Sequence, residues 1–191
     1  MRVTIRAEGG PDRGYGHLVR TATLAEELVR RNHDVVCLTA TPEAADSVYP
    51  NHVPVLELKG PTDTRQTLQQ VKSSTPSILV VDKSDVSIPD QRRFSESDPA
   101  FVLVRDDIGG TVCCDVLHNG HVYVKSDDYD WIGTEPEWCV GGEYTLFDER
   151  IRALARDVGR SNDPPERALV TMGGSDVRGT TPDAVRAFAD T

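Results

Sequence analysis

The sequence lacks the features that mark several large classes of protein. No apolar run approaches the length of a membrane span, and the N-terminus lacks the basic region and apolar core of a signal peptide. Basic residues are scarce beside acidic ones, so the formal net charge is −10. Because a phosphate backbone is held by a concentrated basic surface, this balance argues against a nucleic-acid-binding groove. The composition predicts a cytoplasmic protein that binds neither membrane nor nucleic acid.

Cysteine is also sparse, and its spacing excludes two kinds of site. The chain has no C-x-x-C pair, and two of its cysteines are adjacent: Cys37, Cys113, Cys114 and Cys139. Neither a zinc centre nor a disulfide framework has this spacing. The sequence therefore predicts reduced, mostly buried thiols and no metal site.

Lysine is rare, and arginine supplies most of the positive charge. An aspartate-rich, lysine-poor surface suits a high-salt cytoplasm, where strong screening makes a large net charge tolerable and useful for solubility. We expect the stability of the protein to depend on salt concentration.

What the sequence does contain is a regular alternation of strand and helix patterns over its first two thirds. Short β-branched runs alternate with amphipathic helical segments, an order typical of a doubly wound parallel sheet. The pattern predicts a Rossmann-like α/β fold, with strands at 2–6, 33–39, 53–58, 78–82, 101–104 and 112–117 and helices at 17–31, 42–48, 62–73 and 89–94.

Beyond these elements the pattern is irregular between residues 123 and 137, which are rich in Asp, Gly and Pro. Trp131 and Trp138 are expected to anchor this crossing segment by packing and not to form a cofactor cage. Helical periodicity returns over residues 146–158.

A second domain is predicted towards the C-terminus. Residues 1–158 form the first domain, and residues 159–166, which contain Ser, Asn and two prolines, form a linker. A strand at 167–172, a glycine turn and a helix at 181–189 repeat the opening arrangement. Residues 167–191 are thus expected to begin a second, incomplete α/β domain.

The most informative motif is Gly14-Tyr15-Gly16-His17-Leu18-Val19-Arg20, where the first strand turns into the first helix. Its glycines permit positive φ and close approach of a ligand to the backbone amides. His17 falls in the first helical turn, where free N–H groups and the helix dipole favour anions and a neutral imidazole that accepts protons. The alternative is that His17 caps the helix or packs against the sheet. The loop is neither a G-x-G-x-x-G fingerprint nor a P-loop.

Several polar residues follow strand ends. Ligands of doubly wound sheets bind outside the carboxyl ends of the strands, where residues 9–17, Asp82, Asp107 and Asn119 are expected to converge. Strand-terminal Asp and Asn residues also cap turns and helices, and for Asp106 this is the favoured interpretation.

Six short motifs are spread over nearly the whole chain. In order they are residues 14–20, Val80-Val81-Asp82, Asp106-Asp107, Cys114-Asp115-Val116-Leu117-His118-Asn119, Gly142-Glu143-Tyr144-Thr145-Leu146 and Met172-Gly173-Gly174-Ser175-Asp176. Together they resemble the UDP-sugar hydrolases of pseudaminic acid synthesis and the related spore-coat polysaccharide proteins. The resemblance implies a glycosyltransferase type B fold, with the active site in the cleft between two Rossmann-like halves.

The resemblance also implies a reaction and its residues. It points to hydrolysis, without metal or cofactor, at the anomeric carbon of a UDP-linked diacetamido-trideoxy sugar. His17 is the implied general base. The residues implied to bind substrate are Gly14, Tyr15, Gly16, Arg20, Asp82, Asn119 and Tyr144, and those implied to bind the nucleotide are Gly173, Gly174, Ser175 and Asp176.

Two departures from the family pattern bear on this expectation. Where the family has a histidine and a tyrosine after the aspartate, this chain has Lys83-Ser84-Asp85, so an aromatic group of the sugar site is absent. The family's uracil and ribose contacts lie mainly in the remainder of the second domain. We therefore expect weak or absent hydrolysis by this chain alone, with a second chain as a candidate partner. The alternatives are a glycosyltransferase, in which an acceptor hydroxyl replaces water, and a non-catalytic half of a split protein.

Overall fold

The computed structural model describes residues 1–59, 64–157, 167–173, 176 and 178–189. The strands are β1 (Arg2–Ala7), β2 (Asp34–Thr39), β3 (Val55–Glu57), β4 (Ile78–Asp82), β5 (Ala100–Val104), β6 (Gly110–Val112), β7 (Val116–Asn119), β8 (Tyr129–Trp131) and β9 (Glu137–Val140). The α-helices are α1 (Gly16–Arg30), α2 (Pro42–Asp46), α3 (Thr64–Ser74), α4 (Ile88–Ser95), α5 (Glu149–Asp157) and α6 (Thr181–Ala189).

Seven of the strands form one parallel sheet in the order β3-β2-β1-β4-β5-β7-β9. The chain moves outward from β1 in one direction and then from β4 in the other, so the order reverses between these two strands. This arrangement confirms the predicted doubly wound, Rossmann-like α/β fold. The carboxyl edge beside the reversal is the place where such sheets bind ligands.

The central strands β1 and β4 are buried on both faces, which explains their near-continuous apolar sequences. One core packs α1 and α2 against β1 residues Val3 and Ile5 and against Val80 of β4. The other core packs Val71 of α3 and Phe94 of α4 against the remaining face. Successive residues of a strand point to opposite faces, so Asp82, two residues after Val80, lies on the α1 side of the sheet.

A buried ion pair joins the ends of β1 and β2. Arg6 and Glu8 form a salt bridge with both side chains almost fully buried. The Glu8 carboxylate also accepts the backbone N–H of Ala40 at 3.2 Å, and Arg6 donates to the carbonyl of Leu38 at 3.4 Å. These bonds offset part of the cost of removing two charges from water.

The turn into α1 depends on its glycines. Gly10 donates its N–H to the Gly14 carbonyl at 3.0 Å, and Gly14 has a φ of +79°, a region that side chains rarely adopt. At Gly9, a Cβ atom would lie 2.6 Å from a Leu18 methyl carbon. The glycine-rich loop therefore brings the helix start close against the end of β1.

The predicted strand at 112–117 is wrong, because the structure divides it into β6 and β7. Residues 113–115 between them are held by hydrogen bonds to other elements. The Gln91 side chain accepts the Cys113 N–H at 2.8 Å, and the Asp115 carboxylate accepts the Phe101 N–H at 2.7 Å. Contacts between distant segments thus interrupt a locally continuous strand pattern.

The segment predicted to be irregular, 123–137, contains β8, which pairs with β6 in a separate two-stranded parallel sheet. It leads into β9, which adds a seventh strand to the main sheet. Trp131 and Trp138 pack edge to face with their ring centres 5.9 Å apart, in agreement with the expected packing role. Each of these strands is only three or four residues long, so its pairing and not its own pattern determines its structure.

The helix predicted at 146–158 begins later, at Glu149. Asp148 precedes it, and its carboxylate accepts the Arg150 N–H at 2.8 Å, which fixes the helix start.

In the C-terminal part, the helix predicted at 181–189 is confirmed as α6, whereas residues 167–172 form no strand and are mostly exposed. A strand requires a neighbour for its backbone groups, and these residues pair with no strand among the described residues. The predicted linker at 159–166 lies outside the described residues. The division into two domains stays a prediction.

The four thiols are free, as expected, with Cys139 partly exposed and the other three buried. Burial raises the pKa of Cys37 to about 11 and that of Cys114 to about 12, so both are protonated at neutral pH. Among the described residues, no helix is both long enough and apolar enough to cross a membrane.

Candidate functional site

Five charged or titratable side chains meet at the carboxyl edge of the sheet. We call this group the carboxyl-edge cluster; it consists of His17, Arg20, Asp82, Asp106 and His121. Two come from the start of α1, one ends β4, and the others follow β5 and β7 by two residues. Because β4, β5 and β7 are neighbours, the parallel sheet brings these distant positions together.

A bidentate ion pair forms the most buried part of the cluster. The Nε and Nη2 atoms of Arg20 each donate to one carboxylate oxygen of Asp82 at 2.5 Å. Asp82 is fully buried, whereas the Arg20 side chain is 22% exposed. Burial raises the pKa of Asp82, and the bonds from Arg20 oppose that rise. Burial lowers the pKa of Arg20, but Asp82 and Asp106 outweigh it, so the pKa is raised and the guanidinium stays charged.

Asp106 connects this pair to two histidines. Its Oδ1 accepts a hydrogen bond from Nη1 of Arg20. The Nε2 atom of His17 lies 3.5 Å from its Oδ2, and the Nε2 atom of His121 lies 3.6 Å from its Oδ1. The hydrogen bond with His17 and those with Arg20 hold the pKa of Asp106 well below its usual range, against the effect of burial. Asp106 is therefore a carboxylate at neutral pH.

His17 lies in the first turn of α1 with 21% of its side chain exposed. The N-cap residue is Tyr15, and no side-chain hydrogen bond from it caps the helix. The imidazole instead points its Nε2 at Asp106. When that nitrogen carries the proton and donates to the carboxylate, Nδ1 keeps a free electron pair and can accept a proton.

Asn119 is fully buried, and its amide is engaged within the protein. Its Nδ2 donates to the Asp107 carbonyl at 3.1 Å and to the Tyr129 hydroxyl at 3.0 Å, while its Oδ1 accepts the His121 N–H at 3.1 Å. Asn119 thus holds the two loops that carry Asp106 and His121. Its implied contact with substrate stays a prediction.

Two of the sequence motifs contact each other beside the cluster. Nε2 of His118 donates to the carbonyl of Tyr144 at 2.8 Å, and the Thr145 hydroxyl donates to the Gly120 carbonyl at 2.6 Å. A Cβ at Gly120 would lie 2.8 Å from the Thr145 Cα. The Nδ1 atom of His118 is buried without a hydrogen-bond partner among the described residues, and burial lowers the pKa of this imidazole.

The other residues implied to bind ligands have simpler surroundings. Tyr144 is 39% exposed, and Tyr15 packs partly against the α1 core. The carboxylate of Asp176 accepts the N–H groups of Thr180 and Thr181 at 2.9 and 2.8 Å and so fixes the start of α6. Gly173 has a φ of +85°, and Gly174 and Ser175 lie outside the described residues.

Comparison with known proteins gives one curated relative of interest. No family model matches the chain. A protein of Campylobacter jejuni named UDP-2,4-diacetamido-2,4,6-trideoxy-beta-L-altropyranose hydrolase is 24% identical over 181 residues, which cover 93% of this chain. The match spans 62% of that relative's length.

Two solved structures align with the chain at low similarity. A protein from Lactobacillus casei has a TM-score of 0.40 and 16% identity over 57% of this chain and 49% of its own. The UDP-glucose 4-epimerase of Thermus thermophilus, in complex with NAD, has a TM-score of 0.38 and 12% identity over 82% of this chain and 51% of its own. Neither alignment bears on the site.

The structure also shows side-chain contacts that the sequence does not predict. The favoured interpretation of Asp106 as a cap is wrong, because its carboxylate lies among Arg20, His17 and His121. The sequence motifs do not include His121. Its position two residues beyond a strand end, like that of Asp106, is the signal that identifies it. Within the described part of the chain, no group of three His, Cys, Asp or Glu side chains is arranged to hold a metal ion.

Proposed function

We propose that this chain provides the catalytic base of a UDP-sugar hydrolase, with a UDP-linked diacetamido-trideoxy sugar as substrate. The observation that carries the proposal is the contact between His17 and the ionised Asp106. It orients one imidazole nitrogen inward and leaves the other to accept a proton. The name of the Campylobacter relative supports the choice of substrate class.

In the proposed reaction, Nδ1 of His17 takes a proton from a water molecule while the water oxygen bonds to the anomeric carbon. The bond from that carbon to the phosphate oxygen breaks, and its electron pair leaves with UDP. Asp106 stabilises the imidazolium that forms, in the way a carboxylate serves the histidine of a catalytic triad. Arg20, anchored on Asp82, holds Asp106 in place. General base catalysis of this kind contributes roughly 10²–10⁴-fold in rate.

The nucleotide is proposed to bind near residues 173–176, as the resemblance implies. Gly14, Gly16 and Tyr144 are proposed to line the sugar side, with the first-turn amides of α1 available to an anionic group. No acidic residue lies in that first turn to compete for them. A second chain that completes the nucleotide side remains part of the proposal, as does a cytoplasmic location.

The test compares UDP release by the wild-type chain with release by His17→Gln. His52→Gln is the control, since this histidine is exposed and lies between α2 and β3. We expect His17→Gln to lower kcat by about 10²–10⁴-fold and His52→Gln to leave it unchanged. Because the comparison is a ratio, a slow absolute rate does not affect it.

Three outcomes decide the proposal. Wild-type kcat in His17→Gln would show that His17 is not the base. UDP release only in the presence of an acceptor alcohol would identify a glycosyltransferase. No release from UDP-sugars with or without an acceptor would reject catalysis by this chain alone and favour a half that requires a second chain.

A further inference from the structure

One carboxylate in the cluster serves two imidazoles. The two oxygens of Asp106 face the Nε2 atoms of His17 and His121 at 3.5 and 3.6 Å. The rings reach it from separate parts of the chain, one from the first turn of α1 and the other from the loop after β7. Only the ring of His17 has a role in the function proposed above.

His121 is held in place on two sides. Its backbone N–H donates to the Asn119 side chain at 3.1 Å. Its ring stacks on Tyr123, with ring centres 5.4 Å apart and planes 6° from parallel. The His121 side chain is 42% exposed, twice the exposed fraction of His17. A fixed and accessible imidazole beside a carboxylate is suited to contact a ligand.

Three charged side chains belong to the same cluster as His121. Arg20 of α1 contributes one positive charge, and Asp82 of β4 and Asp106 after β5 each contribute one negative charge. The other titratable groups are His17 of α1 and Tyr123 of the same loop. The three charged side chains thus leave one net negative charge beside the two imidazole rings. The ring of His121 is the more exposed of the two and is therefore the better placed to contact a ligand.

We propose that His121 is the proton donor to the departing diphosphate of the substrate, opposite in role to His17. This inference rests on the proposed function. As the bond from the anomeric carbon to the phosphate oxygen breaks, an N–H of the His121 ring gives its proton to that oxygen, and His17 has taken one from water. One proton is gained and one is lost, so exchange with solvent restores both rings. Two titratable groups with different surroundings thus divide the acid and base roles.

The first experiment measures kcat against pH for the wild-type chain, His121→Gln and His17→Gln, with His52→Gln as the control. A base must be neutral and an acid protonated, so the wild-type profile is expected to fall on both sides. His121→Gln should lower kcat by about 10²-fold and abolish the fall at high pH while the fall at low pH remains. A residue that only supported the fold would not remove one side of the profile. A His121→Gln profile that still falls at high pH would overturn the inference.

The second experiment needs no turnover. The ring proton signals of the histidines are followed by NMR while UDP is added, with the His121 signal assigned by its loss in His121→Gln. We expect the His121 signal to shift and that of His52 to stay unchanged. If the wild-type chain releases no UDP, catalysis by this chain alone fails, and the titration alone decides whether His121 contacts the diphosphate. An unshifted His121 signal at millimolar UDP would overturn that contact.

Discussion

Replacement of Arg20 by methionine tests whether the Arg20–Asp82 pair holds the carboxyl edge together. Methionine fills much of the same space but removes the guanidinium. Asp82 is fully buried and receives two hydrogen bonds from Arg20. The variant therefore leaves a carboxylate in the interior with no cation beside it, which costs about 3–5 kcal/mol when one partner of a buried pair is removed.

The loss is measured by urea and thermal unfolding. For a chain of this size, 1 kcal/mol shifts the midpoint temperature by about 2–4 °C, so we expect Arg20→Met to unfold about 6–20 °C lower. Arg30→Met is the matched control, because Arg30 lies on the same helix and forms an exposed pair with Glu27. We expect no measurable change in that variant.

Two further measurements separate the buried charge from lost packing. In Arg20→Met, burial raises the pKa of Asp82 with no cation to oppose it, so stability should recover as pH falls and the carboxyl group takes up a proton. The double variant Arg20→Met with Asp82→Leu removes both charges and should be more stable than Arg20→Met alone. A loss below about 1 kcal/mol in Arg20→Met, the value of a surface pair, would refute the reasoning.

Two other predictions concern the contact between residues 118–120 and 144–145. Burial lowers the pKa of His118 in the folded protein. The unfolded chain therefore binds more protons as pH falls, and the contribution of His118 to stability is complete above pH about 6.5 and declines below it. His118→Asn should therefore lose less stability than wild type between pH 7 and 5 in urea unfolding, and an unchanged pH dependence would contradict this. Gly120→Ala places a Cβ against Thr145 and should cost about 1–3 kcal/mol. Gly16→Ala, where a Cβ meets no atom within 4 Å, should be tolerated in the same thermal scan, and equal stability of the two variants would refute the clash.

The elements that the sequence predicts well are those whose own pattern determines them. The apolar run of β4 and the amphipathic α1 place Asp82 and His17 at one edge because parallel strands end together. Pairing between distant segments is not predicted by local patterns. β9 joins the sheet through four residues that include a glutamate and a tryptophan, and no local pattern predicts its contact with β7.

The same limit applies to the site. The sequence places Asp106 just beyond a strand end. Its contacts with Arg20 and two histidines depend on the order of the strands in the sheet, which local sequence patterns do not predict. Only the resemblance assigns Arg20 a role in the site. Its two aspartates are 62 and 86 residues away along the chain.

The dependence of the cluster on strand order also ties its charges to correct folding. In the native ladder Ala7 lies beside Asp82, and Asp82 beside Val104. A misalignment of β4 by one residue would turn Asp82 towards α3 and α4 and leave Arg20 without its partner. Each sheet with this misalignment would thus bury an unpaired carboxylate in an apolar core. The cluster therefore favours the native alignment of the sheet over the shifted one, because the native alignment brings its opposite charges together.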